Sequence, residues 1–196
     1  MTEKDLVEVS IDRITQLIEK YIPEPRKTKI NKMFEEIGEF YFTAPASSKK
    51  EYHSAFDGGL AVHSLNVFEN LKKLNEAFAL NFSMESMLIT CLFHDLGKAV
   101  DTTCKGPNYT SDTDKWQKER GIMYNYTKQG LYFSNHQKSM FILQKYGVEL
   151  TAEEYQAILL NDGMYLDANK AYAHKQCLLS LYVHHADVAA SVQEKG

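Results

Sequence analysis

The sequence predicts an all-α fold. Three observations carry this: apolar residues recur at helical spacing through most of the chain, Val, Ile and Thr nowhere cluster into alternating runs, and helix-ending or helix-starting residues fall between the periodic segments. Residues 3–20 place Leu6, Val9, Ile14, Leu17 and Ile18 near helical spacing, and Pro23 and Pro25 end the segment because proline cannot continue a helix interior. A second helix is expected over 29–42, where Ile30, Met33, Phe34, Ile37, Phe40 and Tyr41 form an amphipathic pattern. The polar stretch APASSKKEYHSAFDGG (44–59) reads as a loop, and residues 60–79, with Leu60, Val67, Leu71 and Leu74, as a helix. Ser83 is a plausible N-cap for a helix running through Met87, Leu88 and Leu92 to Gly97. Residues 99–133 break the pattern: they are rich in Asp, Thr, Lys, Gly, Asn and Tyr, hold the single tryptophan, Trp116, and read as a long insertion with a short hairpin. A loop of that size inside a domain is often functional. Helical patterning returns over 135–147, 151–160 and 174–194.

The bulk properties narrow the function classes. With 196 residues, 44% hydrophobic and 24% charged, the chain has the profile of a globular domain able to bury its own core. A formal net charge of −4 argues against a broad nucleic-acid surface, which needs a basic excess, and leaves room for a small anionic substrate in a local basic pocket. Cys91, Cys104 and Cys177 are odd in number and lack CxxC spacing, which speaks against a disulfide framework and a zinc knuckle. The N-terminal MTEKDLVEVS has no apolar signal core, and no apolar run approaches the roughly 20 residues that span a bilayer. A reduced, cytoplasmic protein that does not enter membranes is expected.

Chemistry concentrates in three strings. In MLITCLFHDLGK, His94 and Asp95 are adjacent, and adjacent helical residues point about 100° apart, so both cannot face the core. Imidazole and carboxylate together suit Zn, Mn, Fe or Mg-type ions; a capped helix end is the plainer explanation. In GGLAVHSLNV, His63 shares a helical face with Leu60 and Val67, which fits a core histidine as well as a ligand, while the glycine pair before it signals a close backbone approach. In LYVHHADVAAS, Asp187 sits among apolar neighbours, which is costly for a carboxylate unless it is paired or bound to a cation. His184 and Ser191 flank it by one turn on the same face, and His185 points elsewhere.

These strings, in this order, resemble the HD-domain superfamily of metal-dependent phosphohydrolases: a lone His on one helix, a His-Asp pair on the next and a distant Asp on a late helix. The resemblance implies an HD-domain helical bundle with a long loop or short hairpin insertion after the HD helix. It covers about residues 52–192, which divides the chain into an HD domain over 51–196 and an N-terminal helical extension over 1–50 packed on it. A closer resemblance is to small HD proteins of bacteria and phages, in which a Trp- and Tyr-containing insertion leads into a GHGEKS-like helix; here Trp116, Tyr124 and Tyr126 precede SNHQKSM. His136 falls where that subgroup carries an additional His able to recruit a second metal. The chain departs from the subgroup at AILLNDGMY, where Asn161, with Asp162 beside it, replaces a further His; Asp162 can serve as a carboxylate ligand or contact substrate.

The resemblance implies a divalent ion (Mn, Co, Fe, Mg or Zn), with a second ion open, held by His63, His94, Asp95 and Asp187 and joined by His136 if there are two. Asp95 is the expected water-orienting catalytic residue. Lys98 is the cation that stabilises phosphate charge, unless it is an ordinary helix C-terminal lysine. Trp116, Tyr124 and Tyr126 could stack on a base or simply pack the insertion, and His53, before His63, is a weaker cleft candidate. The expected substrate is a small nucleotide, cleaved by a nucleotidase or deoxynucleoside triphosphohydrolase. The alternatives are a phosphodiesterase or 3′–5′ exonuclease on oligonucleotides or cyclic (di)nucleotides, and a non-catalytic HD binding module. Extended nucleic acid is disfavoured, since the first 50 residues read as helical rather than as an OB-fold. A homo-oligomer is the expected assembly.

Overall fold

Residues 2–127 and 131–195 are described in a computed structural model of the chain, so positions 128–130 of the expected insertion and the outermost residues 1 and 196 lie outside the described residues. The architecture is all-α. In chain order the helices are α1 (Glu3–Tyr21), α2 (Arg26–Thr43), α3 (Gly59–Ala77), α4 (Met84–Phe93), α5 (Lys115–Glu119), α6 (Asn135–Lys145), α7 (Ala152–Leu159) and α8 (Leu178–Gln193). Two short strands, β1 (Tyr109–Thr110) and β2 (Asn125–Tyr126), pair antiparallel, Tyr109 opposite Tyr126. Short 3₁₀ turns cover Leu96–Lys98, Gly163–Tyr165 and Asp167–Tyr172. No helix among the described residues is long and apolar enough to cross a membrane.

Local sequence explains most of the boundaries. Thr2, Ser134 and Thr151 open α1, α6 and α7 with reciprocal capping boxes, satisfying helix N–H groups that have no partner within the helix. Ser83 caps α4 by accepting from the Ser86 N–H, as its position predicts. α8 starts at Leu178 rather than near 174, because Cys177 is the N-cap and His174 stands at φ 62°, outside a right-handed helix. The insertion carries the expected hairpin with α5 inserted between its strands.

α3 is the spine of the molecule. It packs against α8, α4, α1 and α2, so the two N-terminal helices share its core. Ile14, Leu17, Ile30, Met33 and Ile37 are buried in one cluster with Leu60, Val67, Leu88, Leu92, Ile142, Ile158 and Val183. The Tyr41 hydroxyl donates to the Leu92 carbonyl at 2.9 Å and ties α2 to α4 just before the His-Asp pair. The glycine pair opening α3 has the close approach its sequence signals: a Cβ on Gly59 would lie 2.0 Å from the Ser54 carbonyl oxygen, and Gly58 stands at φ +84° against Val7. That contact folds the 44–59 loop back over the first turn of α3, one turn before His63.

Candidate metal centre

Three elements of the core converge on one buried polar spot. His63 comes from the second turn of α3, His94 from the end of α4 and Asp187 from the middle of α8. One imidazole nitrogen of each histidine and one carboxylate oxygen of Asp187 lie within 4.8 Å of one another. His63 Nε2 is 3.0 Å from Asp187 Oδ1, and His94 Nε2 is 3.9 Å from the same oxygen. Ligand atoms bound at about 2.0–2.2 Å to one ion stand about 3–4.4 Å apart, so the pairwise distances to Asp187 suit a shared cation.

The tautomers are fixed from behind. His94 Nδ1 donates to the Cys91 carbonyl at 2.8 Å, and His63 Nδ1 donates to the Glu194 carboxylate at 3.0 Å. With Nδ1 engaged on each ring, both Nε2 atoms face the centre. Both are buried and have no hydrogen-bond partner among the described residues; the Asp187 oxygen approaches His63 Nε2 outside hydrogen-bond geometry. Buried polar atoms are nearly always satisfied, and two such atoms aimed at one carboxylate have the donor chemistry of a site for a divalent cation.

Asp95 stands at the side of this group. The sequence expects α4 to continue to Gly97, but the α-helix stops at Phe93 and Asp95 takes φ −109°, ψ 15° before a 3₁₀ turn. Asp95 Oδ2 then lies 3.4 Å from His94 Nε2 and accepts from Lys98 Nζ at 2.6 Å, while Lys98 also donates to the Ala46 carbonyl. The turn is held from α6: Ser139 Oγ accepts from the Gly97 N–H at 2.8 Å and donates to the His94 carbonyl, and a Cβ on Gly97 would sit 2.1 Å from the Asn135 carbonyl oxygen. The SNHQKS string is therefore the clamp on the HDLGK string.

The electrostatics follow from burial and neighbours. Burial disfavours the imidazolium of His63, yet the Asp187 and Glu194 carboxylates outweigh it and raise its pKa to about 9. His94 is raised in the same way, burial being outweighed chiefly by Asp95. Burial pushes the Asp95 carboxyl upward, but Lys98 and His94 prevail and hold it well below the usual range. Asp187 and Glu194 are lowered against burial, chiefly by His63. His53, whose ring lies 4.4 Å from that of His63, is pushed down to about 4 by burial and by His63.

The centre opens into a cleft of about 420 Å³ lined by His53, Asp95, Lys98, Asn161, Asp162, Tyr165, His184, Asp187 and Ser191, among others. Asp162 also borders a second cavity of about 550 Å³, whose wall includes Tyr126, Tyr132, Phe133, His136 and Lys138. His136 Nδ1 is 3.5 Å from Asp162 Oδ2, without a hydrogen bond, and its Nε2 lies 2.9 Å from Ser134 Oγ. His136 and Asp162 thus stand together beside the first cleft. Trp116 and Tyr124 are elsewhere: Trp116 lies on the surface against Arg120, 3.7 Å from the ring centroid, and the Tyr124 hydroxyl donates to Asp57, pinning the insertion to the 44–59 loop. His184 Nδ1 is 2.7 Å from the Asn161 carbonyl, which fastens the ND segment to α8, and His185 is exposed.

Sequence reasoning missed Glu194 and its companions. Glu194 lies seven residues after Asp187, two turns along the same face, and Asn66 lies one turn after His63. That register was the available signal. No protein-family model, curated protein or solved structure matches this chain, so the site has to be read from its own residues.

Proposed function

We propose that the protein is a divalent-metal-dependent phosphohydrolase of the HD type that acts on nucleotides. The observation that carries this reading is the pair of buried Nε2 atoms of His63 and His94, which make no hydrogen bond among the described residues, face the Asp187 and Asp95 carboxylates and are locked by acceptors on their Nδ1 atoms. His63, His94 and Asp187 would hold the ion, with Asp95 adjoining. When bound, such an ion supplies Lewis acidity to a phosphoryl group and lowers the pKa of water. Asp95, kept ionised by Lys98, would accept a hydrogen bond from a water in the cleft and orient it for attack. Lys98 places a buried positive charge 2.6 Å from that carboxylate, at the cleft wall where charge builds on a phosphoryl oxygen. The adjoining cavity, with Tyr126, Tyr132 and Phe133 in its wall, is large enough for a nucleoside and supplies ring faces for a base. The three free cysteines suit a reducing compartment such as the cytoplasm.

A second reading is favoured by one observation. His136 and Asp162, paired beside the cleft, provide donors for a further ion, and two-ion sites suit phosphodiester substrates such as cyclic dinucleotides or short oligonucleotides. The deciding experiment screens Mn²⁺, Co²⁺, Fe²⁺, Mg²⁺ and Zn²⁺ against nucleoside mono- and triphosphates, cyclic dinucleotides and oligonucleotides. Phosphate release from a nucleotide, lost in Asp95→Ala, is the expected outcome. Absence of turnover of every phosphoester with every ion sinks the proposal.

A further inference from the structure

Beside the centre lies a carboxylate that the hydrolytic reading does not use. The side chain of Glu194, directly after α8, is 8% exposed, and both its oxygens are engaged. Oε2 accepts from Ser54 Oγ at 2.7 Å and from His63 Nδ1 at 3.0 Å; Oε1 accepts from Asn66 Nδ2 at 2.9 Å and lies 3.2 Å from His63 Nδ1. A carboxylate this deep is costly unless its lone pairs are met. Here donors from the 44–59 loop and from α3 meet them, and the histidine is one of those donors.

We propose that Glu194 is a positioning residue that sets the metal affinity of the centre without touching the ion. This rests on the metal-centre reading above. An imidazole offers a lone pair on one nitrogen only when its proton is on the other. The anionic acceptor at Nδ1 keeps the proton there, fixes the ring plane and makes the nitrogen facing Asp187 a stronger donor. The Ser54 and Asn66 bonds hold the carboxylate in turn, so the aim of the His63 ring is set by three segments at once.

A merely structural role is distinguishable because the same two helices carry a second tie. Asn70 Nδ2 donates to Gln193 Oε1 at 3.0 Å, joining α3 to the end of α8 without contact to His63. The experiment uses the full chain stripped of metal and titrated with Co²⁺, read by visible absorption, with circular dichroism as the check on folding. Glu194→Ala is expected to weaken Co²⁺ binding by about 10–100-fold, the usual effect of losing such a partner. Glu194→Gln keeps a neutral acceptor and is expected to lose several-fold less, with a shifted absorption band. Asn70→Ala is expected to bind Co²⁺ as the wild type does. Wild-type affinity in a folded Glu194→Ala, or an equal loss in Asn70→Ala, overturns the proposal. Should Glu194→Ala not fold, wild-type affinity and spectrum in Glu194→Gln overturn it. Failure of the wild-type protein to bind Co²⁺ overturns the metal-centre reading and this role with it, whereas intact binding in the Glu194 variants overturns the role alone.

Discussion

His63 shows how one side chain couples protons and charge and, on the proposed reading, a cation. Without a cation, a proton on Nε2 balances the Asp187 and Glu194 carboxylates, which is why burial fails to depress its pKa and it stands near 9 against an ordinary 6.5. The folded-state value is raised, so the metal-free protein has the full stabilising effect of this group below about pH 6.5 and loses it as the pH rises through about 9. Glu194 runs the other way: its value is depressed, so its contribution is present above the ordinary 4.5 and is lost on acidification. A divalent ion has to displace the His63 proton. Its affinity should therefore climb by up to about tenfold per pH unit between pH 7 and 9 and level off above, with proton uptake by the buffer on binding. Calorimetric titration in buffers of different ionisation enthalpy measures both, and an affinity flat across that range counts against ligation by His63. At this scale the sequence was informative but ambiguous. His63, His94 and Asp187 each had a plain structural explanation, and only their common destination in the fold favours the ligand reading. Glu194 stood in a polar C-terminal string, VQEKG, where a carboxylate needs no special reason; only the burial of its side chain gives it one.

Among the elements, the HDLGK turn is the instructive one. Periodicity alone extends α4 to Gly97, because Leu92, Phe93 and Leu96 are all apolar and all buried. The helix nevertheless stops at Phe93, and the stop lets Asp95 and Lys98 meet beside His94 instead of following the helix surface. What enforces the stop is tertiary. Ser139 on α6 takes the Gly97 N–H and returns its own proton to the neighbourhood of the His94 and Asn135 carbonyls, and α6 approaches so closely that only glycine fits at 97. A partner 42 positions away in the chain cannot be read from a local pattern, which is why the helices were legible and this break was not. Ser139→Ala leaves the buried Gly97 N–H without its acceptor, and the expected cost is about 1–3 kcal/mol, read from the urea midpoint at unchanged slope. Because the same turn aims His94 and Asp95, metal affinity should fall together with stability in this variant. Weaker stability with unaltered metal binding would separate the clamp from the site.

Over the whole molecule, the three helices that converge on the centre are also the ones that hold the core together. α3 packs on α8 and α4, and α1 and α2 close over α3 from outside. Arg26 at the start of α2 bridges Glu85 of α4 and Glu154 of α7 at 3.0 and 3.1 Å, so the N-terminal pair is fastened by charge as well as by apolar contact. Within this frame His63, His94 and Asp187 sit on three separate helices, and their side chains meet only in the folded state. A cation bound there binds the native chain and has no equivalent site in the unfolded one, so its binding free energy adds to folding stability. At a free-ion concentration one hundred times the dissociation constant the gain is about 2.7 kcal/mol. For a chain of 196 residues that corresponds to a rise of roughly 5–10 °C in the melting temperature, since about 1 kcal/mol shifts a protein of this size by roughly 2–4 °C. Scanning calorimetry of the stripped protein with and without Mn²⁺ or Co²⁺ measures it. The rise should disappear in Asp187→Asn, which removes the charge while keeping the shape of the side chain, and return to the stripped baseline on adding a chelator. A melting temperature indifferent to every divalent ion would mean that the two Nε2 atoms face Asp187 for a reason other than a metal.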